Sequence, residues 1–260
     1  VKTMRVKPIK VFALLAVICV GSLLLSAMGD FPAFGDPNSP ANAGQLATHY
    51  ITQVRVETKV PNIVTAVLAD YRGFDTMFET VVILVAGLAI LAILRRPACE
   101  SSRRFAEIAA MKSHVDLIQV TTCRLLIPVI QLFALYVIAH GHHSPGGGFQ
   151  GGVILGASFI LMALVNGLRA TLLRFSEKKA LFLSAVGVII FAGTGLICML
   201  LGGNFLDYEV LHQILPYTDP VMARSHAMLI VEIGVAFTVM SIMFLIYAVL
   251  SSGGEMEGGL

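Results

Sequence analysis

The chain has 260 residues, of which 57% are hydrophobic and only 13% charged, with a formal net charge of +2. That balance excludes a disordered chain and argues against a water-soluble globular domain. So small a net charge supplies no basic field for nucleic acid, and the information lies in where the charges fall.

Six apolar runs have roughly the 18 to 20 residues that cross a bilayer: Ile9–Met28, Thr76–Leu94, Ile118–Ala139, Gly151–Leu168, Ala180–Leu201 and Met228–Leu250. They predict an all-α, polytopic integral membrane protein with six transmembrane helices. The first run follows Lys2, Arg5, Lys7 and Lys10, as a signal peptide would. Its apolar stretch is long, however, and no clean small-x-small cleavage site follows Ser26-Ala27-Met28, so it is expected to stay as an anchor. Residues 29–60 read as an outer loop, rich in Pro, Gly, Asn and Asp at the start. Within it Val54, Val56 and Val60 alternate with Arg55, Glu57 and Lys59, a pattern that suits either a short strand or a helix lead-in.

Asn62–Leu94 has no proline, and as one helix it would be about 50 Å long, too long for one crossing. The polar cluster from Asp70 to Asp75 offers a break, so the expectation is a short helix to Asp70, an unwound turn near Gly73 and then a full span. Irregular backbone at that depth needs protein or a water-filled cavity around it. Residues 99–113 mix Glu100, Arg103, Arg104, Glu107 and Lys112 with Phe105, Ile108 and Met111 at helical spacing, which predicts an amphipathic junction on the membrane face. The third and fourth spans are joined by His140-Gly-His-His-Ser-Pro-Gly-Gly-Gly-Phe-Gln-Gly-Gly152. Pro145, Gly146, Gly147, Gly148, Gln150, Gly151 and Gly152 there, with Gly156 beyond, read as a tightly built joint. Gly148, Gly152 and Gly156 share one helix face, the signature of a close helix crossing. The tail after Ser251 is glycine-rich and expected to be mobile.

With six alternating spans, thirteen of the 18 Lys and Arg residues fall on one side, before span one, after span two and between spans four and five. By the positive-inside rule both termini are cytoplasmic. Arg124 lies inside the third span near its basic end, where it could snorkel to the surface or counter a carboxylate of a neighbouring protein.

Two acids sit within apolar runs. Glu79 lies about one turn into the second span, and Glu232 lies in the sixth among Ile230, Val231 and Ile233. A carboxylate at the centre of a membrane helix costs about 2.5–3.5 kcal/mol on insertion scales. Each could be a station for protons. Each could equally be an interfacial carboxylate, Glu79 pairing with Arg72 or Lys59 and Glu232 bonding to a neighbouring helix. His140, His142 and His143 are close in sequence, but neighbouring histidines on a turn diverge, and no cysteine pair or metal-ligand spacing accompanies them. A proton-relaying or structural histidine is the expected role. No nucleophile–base pair, phosphate loop or dinucleotide fingerprint occurs, so no catalytic, redox, metal or cofactor-binding site of the chain's own is expected.

At these residues the sequence resembles a known family. Thr122-Cys-Arg-Leu-Leu-Ile-Pro128, the His140–Gly156 run and Val231-Glu-Ile-Gly234 closely resemble the B subunit of Mrp (Mnh) type multisubunit cation/proton antiporters. The same domain occurs in membrane-bound hydrogenases. Asn62 to Glu79, with Arg72-Gly-Phe-Asp-Thr76 as its core, resembles the E subunit of those hydrogenases and the C-terminal end of the large antiporter A subunit. The resemblance implies an E-type unit over 1–98, the junction at 99–113 and a B-type unit over 114–250, with the tail at 251–260. It implies a prokaryotic cytoplasmic-membrane protein working beside large antiporter-like subunits in Na⁺/H⁺ exchange. It makes Glu79 the first candidate for ion or proton transfer, with Asp75 and Arg72 shaping its surroundings, and Glu232, His140 and Gln150 as further candidates. Phe78, bulkier than the family pattern, is expected to narrow water access to Glu79. A redox-driven complex and a pure scaffold remain the alternative settings.

Overall fold

The computed structural model describes residues 8–95, 117–215 and 218–254. The junction expected at 99–113 and the last six residues of the tail lie outside the described residues. Two compact units are present, Val1–His49 and Tyr50–Leu260. The regular elements among the described residues are all helical, and six of the helices are long and apolar enough to cross a membrane.

The first unit carries helix α1 (Pro8–Ala27), a 3-10 turn (Met28–Asp30) and a four-residue helix α2 (Pro40–Ala43). Its large apolar side chains are exposed along the whole of α1, from Ile9 to Leu25. An all-round apolar helix with no buried face is built for lipid or for another membrane helix.

Helix α3 (Gln45–Thr58) resolves the strand-or-helix ambiguity, and it replaces much of the loop expected over 29–60. Val54 and Thr58 are the buried pair, four residues apart on one helical face, so the short alternation of valines yields to the helical period. The Thr58 hydroxyl donates to the Val54 carbonyl at 2.8 Å and accepts from the Val60 amide, and Lys59 at φ 53° ends the helix.

The break expected before the second span is present, slightly earlier than Gly73. Asn62 caps α4 (Ile63–Ala66), its side chain accepting from the Val64 amide. A π-helical turn follows over Val67–Tyr71, then Arg72 at φ −117°, ψ 33° turns the chain into α5 (Gly73–Leu94). The Thr76 hydroxyl donates to the Leu68 carbonyl at 2.8 Å, which satisfies an acceptor that the irregular turn would otherwise strand.

The remaining spans are α6 (Leu117–Ala139), α7 (Gly148–Asn166), α9 (Glu177–Leu200) and α10 (Pro220–Ser251), with the short α8 (Leu168–Arg174) between α7 and α9. Helix α10 is the axis of the second unit. It packs against α9, α7 and α5, and α7 packs in turn against α6. Its composition is apolar on every face, as befits a helix surrounded by others, and Val231, Phe244, Leu245 and Ala248 have no exposure at all.

Glycines set these crossings. A Cβ at Gly148 would run into the Glu232 backbone carbonyl. One at Gly152 would lie 3.0 Å from Ala236, and one at Gly156 3.2 Å from the Met240 carbonyl. The three glycines, four apart, thus meet three positions four apart on α10, which runs parallel to α7. Gly151 faces the other way, its Cβ position 3.0 Å from the Ala134 carbonyl of α6. On the far side of α10, Gly187 of α9 meets the Gly234 backbone, and Thr238 donates to the Ser184 carbonyl at 3.0 Å.

A carboxylate cavity at the glycine joint

The turn between α6 and α7 is where the glycine motif turns from packing to chemistry. Gly147 has φ 129°, a conformation that side-chain-bearing residues avoid, and it begins α7 directly against Glu232 of α10. A Cβ at Gly147 would lie 2.8 Å from Glu232 Oε1, and one at Gly141 2.8 Å from Oε2. The bare glycines make the space in which the carboxyl group sits. Glu232 is 8% exposed, and among the described residues its Oε2 has no hydrogen-bond partner.

Thr65 of α4 is within hydrogen-bonding reach of that carboxyl group. Its hydroxyl proton is already donated to the Gly141 carbonyl at 2.8 Å, and its oxygen accepts from Asn62 Nδ2 at 3.0 Å. The rotating hydroxyl can turn its one proton to the Gly141 carbonyl or to the Glu232 carboxylate. With that proton on Gly141, its oxygen accepts instead from a protonated Glu232.

Asn62 holds this arrangement together. Its amide nitrogen donates to the carbonyls of Gly141 (2.8 Å) and Ser144 (2.9 Å), and its backbone N–H donates to His142 O at 3.0 Å. One helix cap therefore ties the α4 segment to the α6–α7 turn.

Between these elements lies a cavity of about 250 Å³. Glu232, Glu79, Thr65 and Thr76 line it together with Gly146–Gly148 and Gln150; Leu68, Phe149 and Val235 are among its apolar walls. The two intramembrane acids, 153 positions apart in the sequence, thus face one space. Glu232 is at the buried side and Glu79 is exposed on the chain's surface, one turn and a half into α5.

The other expected site residues are placed differently. Arg72 and Asp75 pair with each other, Arg72 Nε lying 2.6 Å from Asp75 Oδ2, and neither lines the cavity. Lys59 pairs with Asp219 at 2.5 Å, so neither basic residue offered as a partner for Glu79 is used that way. Phe78 is exposed, 6.5 Å from Phe74 between ring centroids, and it forms no part of the cavity wall. His140 stacks on Tyr136 at 4.1 Å and is exposed, outside the cavity, as is Pro145. His142 is partly buried with Nε2 unpartnered among the described residues. Burial, and then His143 and His226, hold its imidazole below the ordinary 6.5.

A second polar cluster flanks the π-helical turn. Arg224 of α10 bonds Asp70 at 2.5 Å and Glu209 at 2.9 Å, and its guanidinium lies 5.8 Å from the centre of the Tyr71 ring. Tyr71 in turn donates to Glu57. Burial pushes the Asp70 carboxyl above its ordinary range despite the opposing pull of Arg224. Sequence reasoning does not single out Asn62, Thr65 or the Asp70–Arg224 pair as parts of the site. The signal available for Asn62 is its place between Pro61 and an apolar helical run, where capping residues belong.

Residues 118–245 match the family described as "Domain related to MnhB subunit of Na+/H+ antiporter". A Staphylococcus aureus protein described as antiporter subunit mnhB2 is 30% identical over 141 residues, covering 53% of this chain and 96% of that protein. The chain belongs to the MnhB family. Ahead of the MnhB region, residues 37–107 match the MbhE family, described as the E subunit of MBH. A Rhizobium meliloti protein described as the A/B subunit of a K(+)/H(+) antiporter is 27% identical over 188 residues, but this chain spans only 19% of its length. Two solved structures match nearly the whole chain. A chain of the Mrp complex from Dietzia sp. DQ12-45-1b superposes with TM-score 0.62 at 26% identity, over 97% of this chain and 27% of that one. A chain of the membrane-bound sulfane sulfur reductase, an archaeal respiratory membrane complex, superposes with TM-score 0.59 at 26% identity, over 91% and 97%. The MnhB region supplies Glu232 and the glycine joint, and the MbhE-like region supplies Thr65 and Glu79, so the cavity lies where the two meet.

Proposed function

We propose that this MnhB-family chain is a membrane subunit of an Mrp-type cation/proton antiporter, and that the cavity shared by Glu79 and Glu232 is a proton or cation station within it. The observation that carries the reading is the pairing of a buried, incompletely bonded carboxyl group with a second carboxylate at the surface of the same cavity. An acid buried in hydrocarbon is expensive, and such residues mark ion and proton pathways. Glu232 can take up a proton and commit it to a hydrogen bond with Thr65. Glu79, at the chain's surface, is placed to exchange with a neighbouring protein of the complex. Covering by that neighbour is what would keep Glu79 out of the lipid. Arg72, Asp75 and His140 lie outside the cavity and serve the surroundings, while Pro145, Gly151, Gly152 and Gly156 build the joint.

The relatives' names differ in the ion, Na⁺ in the family description and K⁺ in the Rhizobium protein, so the cation is a monovalent one matched to the partners. The setting we infer is a prokaryotic cytoplasmic membrane with both termini inside, because Arg95, Arg169, Arg174, Lys178 and Lys179 gather at one end of the spans. The second reading, the same unit in a redox-driven complex, is favoured by the MbhE match and by the full-length likeness to the sulfane sulfur reductase chain.

The test is antiport in inverted vesicles with the complete complex. Glu232→Gln and Glu79→Gln, in assembled complexes, are expected to lower exchange at least tenfold. Undiminished exchange in both would leave the chain as a scaffold held by its glycine joint.

A further inference from the structure

At the basic end of the spans, away from the carboxylate cavity, two further cavities of about 350 and 390 Å³ adjoin each other. Both are lined by Arg124 of α6, Met162 and Asn166 of α7, and Arg174 at the end of α8. The two guanidiniums therefore stand at their common boundary. Neither has an acidic partner among the described residues. Arg124 Nε reaches Asn166 Oδ1 at 3.4 Å, and the nearest acceptor for Arg174 Nη1 is the Met162 sulfur at 3.8 Å. Arg72, Arg95 and Arg224, by contrast, each pair with a carboxylate.

The two cavities differ in kind. The one nearer the helix ends is walled by Val120, Ala170 and Thr171 and is polar at the arginine level. The one running deeper into the spans is walled by Ile127, Pro128, Phe159 and Phe175, with Gln131 the polar residue among them. Pro128 has no N–H to give the Arg124 carbonyl four residues earlier, and it sits inside α6 where such a residue bends the helix. Leu125, Leu164 and Leu173 around the site are 73%, 58% and 81% exposed, the exposure expected of acyl-chain-facing side chains.

We propose that this paired cavity binds an anionic phospholipid, the phosphodiester held between Arg124 and Arg174 and an acyl chain lying in the deeper, apolar cavity. Two guanidiniums without acidic partners offer forked donors matched to phosphate oxygens. The apolar extension, which a free phosphate cannot use, selects the lipid. The bound lipid would brace α6, α7 and α8 at the membrane surface, where Asn166 and Gly167 interrupt the helices.

The experiment uses the full chain in the complex with which it purifies, in detergent, with lipid retention read by native mass spectrometry. Phosphatidylglycerol is expected to be retained over phosphatidylcholine, and the Arg124→Ala/Arg174→Ala double variant to bind it about tenfold more weakly. Gln131→Trp, which fills the deeper cavity from a half-buried position and keeps both arginines, is expected to weaken phosphatidylglycerol as well. Glycerol phosphate at the same concentration is expected not to displace it. Equal retention of the two lipids, wild-type retention by the double variant, or displacement by glycerol phosphate would each overturn the proposal. Should the double variant not assemble, Arg124→Gln and Arg174→Gln, both at exposed side chains, carry the same comparison singly.

Discussion

Replacing each glycine of the α7 stripe by alanine should give a graded series whose order is set by the distances to α10. The added methyl at Gly156 would lie 3.2–3.3 Å from Met240 and Met243 atoms, a fit that shifts of a few tenths of an ångström relieve. At Gly152 the equivalent contacts, again two backbone atoms and one Cβ, are tighter, 3.0 Å to Ala236 Cα and O and 3.1 Å to Val239 Cβ. At Gly148 the methyl would overlap the Glu232 carbonyl itself, and the helices would have to part. Overpacking costs about 1–3 kcal/mol, while alanine in a helix returns up to about 1 kcal/mol over glycine. The net change should be close to zero at Gly156, about 1–2 kcal/mol destabilising at Gly152, and above about 3 kcal/mol at Gly148. Gly193 in α9 has nothing within 4 Å of its Cβ position and serves as the control, neutral or slightly stabilising. The assay is the thermal midpoint of the purified complex followed by size-exclusion chromatography after heating. If Gly148→Ala melts with Gly156→Ala, or if the order is inverted, the parallel α7–α10 register is wrong.

Three further outcomes follow from the polar contacts. Asn62→Ala removes a helix cap and the donor to the Ser144 carbonyl, and leaves the Gly141 carbonyl with Thr65 alone, so it should cost about 2–3 kcal/mol in the same melting assay; a change below about 0.5 kcal/mol, the scale of ordinary surface substitutions, would refute the tie. Asp70→Asn leaves the mostly buried Arg224 with only the exposed Glu209, and loss of one partner of a buried pair costs about 3–5 kcal/mol; an Arg224→Met/Asp70→Leu double variant should recover much of that loss. His142 is held neutral in the fold, so its contribution to stability is present above pH 6.5 and is lost as pH falls from there toward its depressed folded value. A His142→Gln complex should show a shallower decline of thermal midpoint below pH 6.5, and an unchanged slope would remove His142 as the cause.

The six spans are legible in the sequence because their signal is local: an apolar run of sufficient length crosses a membrane whatever it touches. The break before the second span is legible for the same reason, since 33 proline-free residues cannot make one crossing and Asp70 to Asp75 marks the place. Its form is not, because a π-helical turn depends on where the Thr76 hydroxyl and the Arg224 guanidinium come to rest. The segment over 45–58 is ambiguous because three alternating valines fit both periods, and the choice is made by which residues find cover. Within the helix Val54 and Thr58 do, and Val60, buried as well, lies past its end. Arg72 and Asp75 are close to Glu79 in sequence, yet three residues apart at a helix start they bond each other, a pairing that sequence proximity to Glu79 does not reveal.

The glycine motif is legible as a close crossing, yet its deeper cause requires the fold. Helix packing alone accounts for Gly148, Gly152, Gly156 and Gly151, each of which has a neighbouring helix backbone where its side chain would be. Gly141 and Gly147 lie in the turn instead: a Cβ at Gly141 would meet both the Gly147 backbone and Glu232, Gly147 is fixed besides by its φ of 129°, and both face the acid. Their missing methyls are filled by the two oxygens of Glu232. Had the turn been selected only for tight packing, an apolar residue at 232 would fill the space as well and at far lower cost than a carboxyl group. Thr65 offers that group a hydroxyl partner, and Asn62 holds the carbonyls of the turn. Two glycines and a helix cap thus surround one acid beside a cavity that a second acid lines, and the proposed proton role rests on that arrangement. Glu232→Leu therefore separates the two roles in one measurement. It should raise the thermal midpoint of the assembled complex by removing a buried polar group while abolishing exchange, and a loss of both together would mean that the carboxyl group is there to hold the turn.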